Sequence, residues 1–449
     1  MTFTKVGRKF AVKALGLALA SAGLTVTGVA HATNGYFAHG YGTKNKGLAG
    51  AGVALPQDAM AAATNPAGMA FVGERADVGL ALFSPIREYT TSGAGGPLAP
   101  PAFNLINTTA ESDNELFYIP HLGMNWAMGA NDTFGVTIYG NGGMNTDYPA
   151  SESGGFGTFY SGGATGVDLA QVFFAFTWAH KIAPNAAIGV TPILAYQRFE
   201  AFGLQNFAGF STDPANLSNN GYNGSYGGGL KLGFQSDVGG GVTLGASYQT
   251  EMMMSEFDSY AGLFAEQGDF DIPATATIGL AWKVNPAHTI VFDVQEIFYS
   301  DVKSVGGPFN PSLNNCAGVV FGGGSAASSQ DCLGGNNGSG FGWEDMTIFK
   351  LGYQWVVNPG LTLRAGVSQG DQPIPSSEVL FNILAPAVIE THVTAGATFS
   401  VGPNTEISLA GMYAPEESVS GPNPLAAGSQ TIELTMYQYE FEASIGIKF

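Results

Sequence analysis

The chain ends Tyr439-Glu440-Phe441-Glu442-Ala443-Ser444-Ile445-Gly446-Ile447-Lys448-Phe449. Side chains on a strand point alternately to two faces. Tyr439, Phe441, Ala443, Ile445, Ile447 and Phe449 therefore share one face, and Glu440, Glu442, Ser444, Gly446 and Lys448 share the other. One face suits hydrocarbon and the other bears charge, as in a strand set between lipid and a polar lumen. Upstream, Ile272, Ala274, Ala276, Ile278, Leu280 and Trp282 oppose Thr275, Thr277, Gly279 and Lys283 in the same way. Phe349, Leu351, Tyr353, Trp355 and Val357 oppose Ile348, Lys350, Gly352 and Gln354.

Fourteen such segments are predicted, centred near Leu80, Met124, Val136, Phe174, Val190, Leu232, Leu244, Ile278, Phe292, Leu351, Leu363, Ala395, Leu409 and Ile445. Their connections fix the class. Even-numbered segments run into tight Gly, Pro, Asn and Asp turns such as Gly129-Ala130-Asn131-Asp132, Ala183-Pro184-Asn185 and Asn358-Pro359-Gly360. Odd-numbered segments run into long connections, roughly 88–115, 141–165, 200–224, 251–271, 300–342, 369–387 and 415–431. Loops sorted by length in this way belong to an all-β fold, a transmembrane antiparallel β-barrel with both termini in the periplasm. Lys231, Lys283, Lys350, Arg364 and Lys448 all take the lumen parity, which spares the roughly 2–4 kcal/mol of a basic residue at the bilayer midplane. Trp126, Trp178, Trp282, Trp355, Tyr248 and Tyr413 take the outer parity near segment ends, as interfacial girdles require.

Residues 1–32 read as an export signal. Lys5, Arg8, Lys9 and Lys13 precede an apolar stretch from Ala14 to about Val29, and Ala30-His31-Ala32 is a small-x-small cleavage site. Their removal takes four of 16 basic and none of 35 acidic residues, leaving a net charge of −23. Such acidity excludes nucleic acid as a partner. Charged residues at 11% and 65 glycines fit a barrel better than a soluble domain, where charged residues make up roughly 25%. Cys316 and Cys332, an even number in an exported chain, are expected to pair.

Residues 33–73 do not alternate. Rich in Gly and Ala, with a short helix expected at Gln57–Ala63, they read as a hatch that plugs the barrel of residues 74–449; a disordered leader is the alternative. Asn34-Gly35-Tyr36-Phe37, the run Gly47-Leu48-Ala49-Gly50-Ala51-Gly52 and the triplet Asn65-Pro66-Ala67 resemble the N-terminal hatch of the FadL-type transporters of long-chain fatty acids and hydrocarbons. Gly370-Asp371-Gln372-Pro373-Ile374-Pro375 is similar to a late loop of that family. The resemblance implies ligand capture among extracellular loops, binding near the mature N-terminus, and sideways exit beside a kinked third strand. It also implies contact with outer-membrane lipid and lipopolysaccharide, and assembly through the Phe449 segment.

The residues supply candidates for each step. One long connection carries Phe202, Leu204, Phe207 and Phe210; the next carries Met252, Met253, Met254, Phe257, Leu263 and Phe264. They form either an exposed capture groove or a packed contact between the two loops. Gly140, Asn141, Gly142 and Gly143 would weaken pairing in the third strand and permit a bulge or lateral opening there, or simply begin a loop. Arg198, in Tyr196-Gln197-Arg198, and Lys303 match the family's carboxylate-holding positions, and both read equally as surface charges. Plain alternation sets Arg198 with Leu194 and Tyr196, facing outward.

No His-x-x-x-His spacing or serine elbow is present, so no enzyme, no metal and no cofactor is expected. Asp269-Phe270-Asp271 reads as solvated carboxylates, with Ca²⁺ binding as the alternative. The function expected is passive uptake of hydrophobic small molecules, fatty acids or hydrocarbons, across a Gram-negative outer membrane. A plugged porin for polar solutes and a non-transporting adhesin or receptor are the rivals.

Overall fold

A computed structural model of the chain describes residues 34–93, 105, 107–150, 163–426 and 430–449. The signal peptide expected at 1–32, Thr33, and parts of the long connections at 88–115, 141–165 and 415–431 lie outside the described residues.

Fourteen long strands are found among the described residues: β1 Arg75–Gly93, β2 Phe117–Ala127, β3 Asp132–Tyr148, β4 Thr165–Ala183, β5 Ala186–Phe202, β6 Asn223–Gly239, β7 Val242–Gln249, β8 Thr275–Asn285, β9 His288–Ile297, β10 Met346–Asn358, β11 Leu361–Gly370, β12 Thr391–Ser400, β13 Thr405–Pro422 and β14 Gln430–Lys448. Each pairs antiparallel with the next. The last closes on the first from Arg75↔Lys448 to Gly93↔Gln430. Closure removes the sheet edges that lipid could not hydrogen-bond. Every segment centre read from the sequence lies within its strand. Turns of two to four residues, such as 184–185 and 128–131, alternate with long connections as expected.

The alternation is borne out in space. Tyr439, Phe441, Ile445 and Ile447 are exposed on the outer wall, while Glu440 and Glu442 are buried in the lumen. Trp178, Trp282 and Trp355 face outward near the short turns, and His288 stacks on Tyr353 and Trp355 among them. Lys231, Lys350 and Arg364 are buried inside, whereas Lys283 and Lys448 reach solvent at strand ends.

Residues 34–73 lie inside this wall, with helical turns at Thr43–Lys46, Ala61–Thr64 and Pro66–Phe71. The first regular helix of the expected 57–63 stretch starts only at Ala61. The Asp58 carboxylate takes the amide of Met60 and Asp77 of β1 takes that of Ala59, so the preceding backbone is held in a turn. Asn65-Pro66-Ala67 is the seat of the segment. Asn65 Nδ2 donates to the carbonyls of Val53 (2.7 Å) and Phe234 (2.9 Å), and its Oδ1 accepts from the Ala67 amide (3.1 Å). The triplet lies directly on Gly189 and Gly233 of the wall, where any Cβ would overlap it. On the opposite rim, Cys316 on the helix α1, Phe309–Phe321, is joined to Cys332, with their Cα atoms 4.8 Å apart.

Candidate functional site

The lumen has two unlike halves. Near the short turns, the plug is docked by charge. Lys46 Nζ lies 2.8 Å from Glu440 and 2.7 Å from Glu442 of β14. Lys44 and Arg75 both bind Glu406 of β13, and Arg75 also meets Asp77 at 2.6 Å. The Thr43 hydroxyl donates to Glu442 (2.6 Å), the Gly52 and Val53 amides donate to Asp293 (2.7 and 2.9 Å), and Lys350 donates to the His39 carbonyl (2.9 Å). Burial by itself would depress the Lys46 ammonium, but Glu440 and Glu442 outweigh it and hold the group above its ordinary value. Burial, with His392, Lys46 and Lys350 nearby, holds His39 well below its ordinary value.

The other half is apolar. Connections 203–222, 250–274, 298–345 and 371–390 meet above the barrel in one cluster with Tyr36 and Phe37. Tyr36 packs on Tyr299 (5.3 Å) and Trp343 (5.8 Å), and its amide donates to the Tyr299 hydroxyl. A cavity of about 20 Å³ lies beneath this cap, between Tyr36, Phe83, Met144, Trp343, Met436 and Arg87.

The loop candidates take the packed arrangement. Leu204, Phe207, Met252, Met254, Phe257, Leu263 and Phe264 are buried in the cap, where Phe257 and Phe264 ring Phe199. Phe202 and Phe210 are half-buried, Phe210 against Phe321, and Met253 is exposed outside β6. Arg198 and Lys303 are not brought together. Arg198 sits on the outward parity of β5, 3.4 Å from Asp168 and stacked on Tyr222 at 4.5 Å. Lys303 is half-exposed and paired with Glu266 at 2.8 Å.

The third strand is bulged. Its register with β4 slips between Gly140 and Gly142. Its ladder with β2 runs from Ala127↔Thr133 to His121↔Tyr139 and stops. Beyond that point the plug takes over: Phe37 bridges Gly142, the Ala38 amide donates to the Asn141 carbonyl, and the Gly143 amide donates to the Tyr36 carbonyl. A Cβ on Gly142 would overlap that Tyr36 carbonyl. Beside the interrupted ladder lies a cavity of about 80 Å³ lined by residues of both parities, Ile119 and Gln171 from the inward set and Pro120, Val172, Tyr196 and Arg198 from the outward set. A hydrogen-bonded row, Tyr41–Asn141–Gln171–Gln197, underlines it.

The residues that dock the plug, and Arg87 in the upper pocket, were not among the candidates from sequence. The lumen parity that marks Glu440 and Glu442 also marks Arg87, two residues from Pro85 on β1, but does not say which lumen charges find partners.

A closed barrel with an apolar exterior and its own N-terminal segment folded inside is an outer-membrane channel protein. The family model for outer membrane transport proteins (OMPP1/FadL/TodX) matches residues 23–438, and the chain belongs to that family. It is a transport family, sited in the outer membrane. Among solved structures, a FadL homologue of Pseudomonas aeruginosa is similar at 16% identity and a TM-score of 0.67, over 92% of this chain and 100% of that one. The P. putida toluene transporter TodX is similar at 16% and 0.63, over 92% and 99%. The Ralstonia pickettii toluene transporter TbuX is similar at 17% and 0.61, over 92% and 99%. At these identities the likeness is one of fold. No curated protein matches the sequence.

Proposed function

We propose that this protein takes up small hydrophobic molecules, hydrocarbons or fatty acids, by passive passage through the outer membrane. The molecule enters through the loop cap, binds in the apolar upper lumen, and leaves sideways beside β3 into the bilayer. The observation that supports this reading is the interrupted β2–β3 ladder with a cavity beside it. The floor below is closed by buried ion pairs, and an apolar molecule gains nothing by displacing them. Solved relatives named as toluene transporters share the fold and fit the same substrate class. We further propose that residues 1–32 are removed, leaving Thr33 as the mature N-terminus, and that the Phe449 end is read by the assembly machinery.

The test is paired. Purified protein in planar bilayers should pass almost no ions, while cells carrying it should take up an alkylbenzene faster than a deletion strain does. A steady ion conductance without hydrocarbon uptake would favour a porin for polar solutes. Neither activity would favour a surface receptor.

A further inference from the structure

We propose that an uncharged hydrogen-bonding row centred on Gln171 controls the step from the upper lumen to the cavity beside β3. It favours a solute with an apolar body and one hydroxyl, such as an alkylphenol, over the bare hydrocarbon. This rests on the uptake reading above and adds a selection at its exit step.

The row crosses the lumen face of β3, β4, β5 and β6. The Tyr41 hydroxyl of the plug donates to Asn141 Oδ1 (2.9 Å), Asn141 Nδ2 to Gln171 Oε1 (3.0 Å), and Gln171 Nε2 to Gln197 Oε1 (3.1 Å). Gln197 Nε2 donates onward to the Phe270 carbonyl of the cap (2.8 Å) and to the Ser225 hydroxyl (3.3 Å). Asn141, Gln171, Gln197 and Ser225 are all buried, with Phe173, Ala195 and Phe199 beside them on the same strand faces. Amides set among rings and methyls carry a desolvation cost that an apolar wall would avoid.

Their position supplies a reason. Met144 of β3 lines the upper pocket, Gly140 lines the wall cavity, and Asn141 stands between them. Gln171, opposite Gly142 in the β3–β4 register, itself lines the wall cavity. Two further uncharged polar atoms of β3 are buried with no hydrogen-bond partner among the described residues. One is Asn145 Oδ1, on a residue that lines the upper pocket. The other is the hydroxyl of Tyr139, next to Gly140, whose ring lies 4.8 Å from that of Tyr41.

A solute that moves from the pocket to the wall cavity passes the amides of Asn141 and Gln171. A hydrocarbon can only part them, which leaves a buried donor and a buried acceptor unmet. A hydroxyl both donates and accepts, so it replaces each bond that it parts. Asn145 on one side of Asn141 and Tyr139 on the other offer it further partners. Every member of the row is neutral, so the discrimination is by hydrogen bonding and not by charge.

The test compares 4-butylphenol with butylbenzene, which differ only in the hydroxyl, as radiolabelled solutes taken up by cells carrying the full chain. Uptake by a deletion strain is subtracted, and the readout is the ratio of the two rates. Wild type should pass the phenol at least about fivefold faster, the factor that one unmet buried hydrogen bond sets. Tyr139→Phe removes a hydroxyl that no other group uses, so the fold is kept, and the ratio should fall by at least about twofold. Gln171→Leu, similar in size and apolar, should bring the ratio close to one. It strands Asn141 and Gln197, so native mobility on unheated gels is its check, and Tyr139→Phe decides alone if that check fails. A wild-type ratio near one, or a ratio that either folded variant leaves unchanged, would overturn the selection. The row would then be a structural brace between plug and cap, and the uptake reading would stand. Uptake of neither solute above the deletion strain would overturn both.

Discussion

The floor and the cap of this lumen are built from opposite materials, and the contrast says where a hydrophobic molecule can go. The floor is held by Lys44, Lys46 and Arg75 against Glu406, Glu440 and Glu442. Buried pairs of this kind are specific and brittle, because removing one partner strands the other in a low dielectric. The cap is held by Phe, Met, Leu and Trp side chains on loops, which can shift past one another at small cost. On the proposed route a greasy solute enters through the deformable cap, is stopped by the closed floor, and leaves beside the bulge of β3 that lies between them.

The largest effect should follow from breaking the floor. Lys46→Met leaves Glu440 and Glu442 buried without their cation, a loss of roughly 3–5 kcal/mol. We expect the plug to undock, so planar bilayers should show steady ion conductance where wild type shows little, while the barrel keeps its resistance to unfolding in detergent. Next comes the cap. Phe257→Ala removes a ring packed on Phe199 and Phe264, about 3 kcal/mol of local packing. Hydrogen exchange should quicken across 250–274 with no rise in conductance; a rise would mean that the two halves are one cooperative unit. A smaller change is expected from Asn65→Ala, which strands the Val53 and Phe234 carbonyls for roughly 1–2 kcal/mol. It should loosen residues 52–72 in hydrogen exchange while the upper pocket still binds ligand.

The smallest effect is one of pH. Burial, then Asp271 and Asp269, pushes the Glu251 carboxyl up to about 7; burial, then Asp271 and Glu266, does the same for Asp269. Acids with a folded pKa above the unfolded value favour the folded loop when protonated. That contribution is full below the ordinary carboxylate range, and it is lost as pH rises through about 7. Protection factors in 250–274, which remove the intrinsic base catalysis of exchange, should thus be higher at pH 5 than at pH 8, and Glu251→Gln should flatten that dependence.

The barrel was legible in the sequence because lipid imposes a period of two on every strand, and short turns cannot hide their Gly, Pro and Asn. The Tyr439–Phe449 run alone carries both faces. The bulge at Gly140–Gly143 was legible for a similar reason, since glycines there have no side chain to hold a register. The site was less so. Phe257 and Phe264 read identically as a capture surface or as a loop core, because exposure is a property of the tertiary fold. Arg198 was carried over from a family motif, although alternation had set it outward, and Asp168 holds it there. Gln171 and Gln197 take the lumen parity, but only the closed barrel and the seated plug join them into one row with Tyr41. The pairing of Lys46 with Glu440 and Glu442 spans nearly 400 residues, and no local pattern marks it.

The central claim is the sideways exit, and it is tested most directly by filling the cavity in the wall. Ala170, opposite Gly143 in the β3–β4 register, lines that cavity and not the upper pocket. In Ala170→Phe, uptake of radiolabelled butylbenzene by cells should fall at least about tenfold while binding to the purified barrel stays within about twofold of wild type, since a side chain of that size occupies most of such a gap. Uptake at the wild-type rate with the cavity filled would contradict the account and send the solute down through the floor.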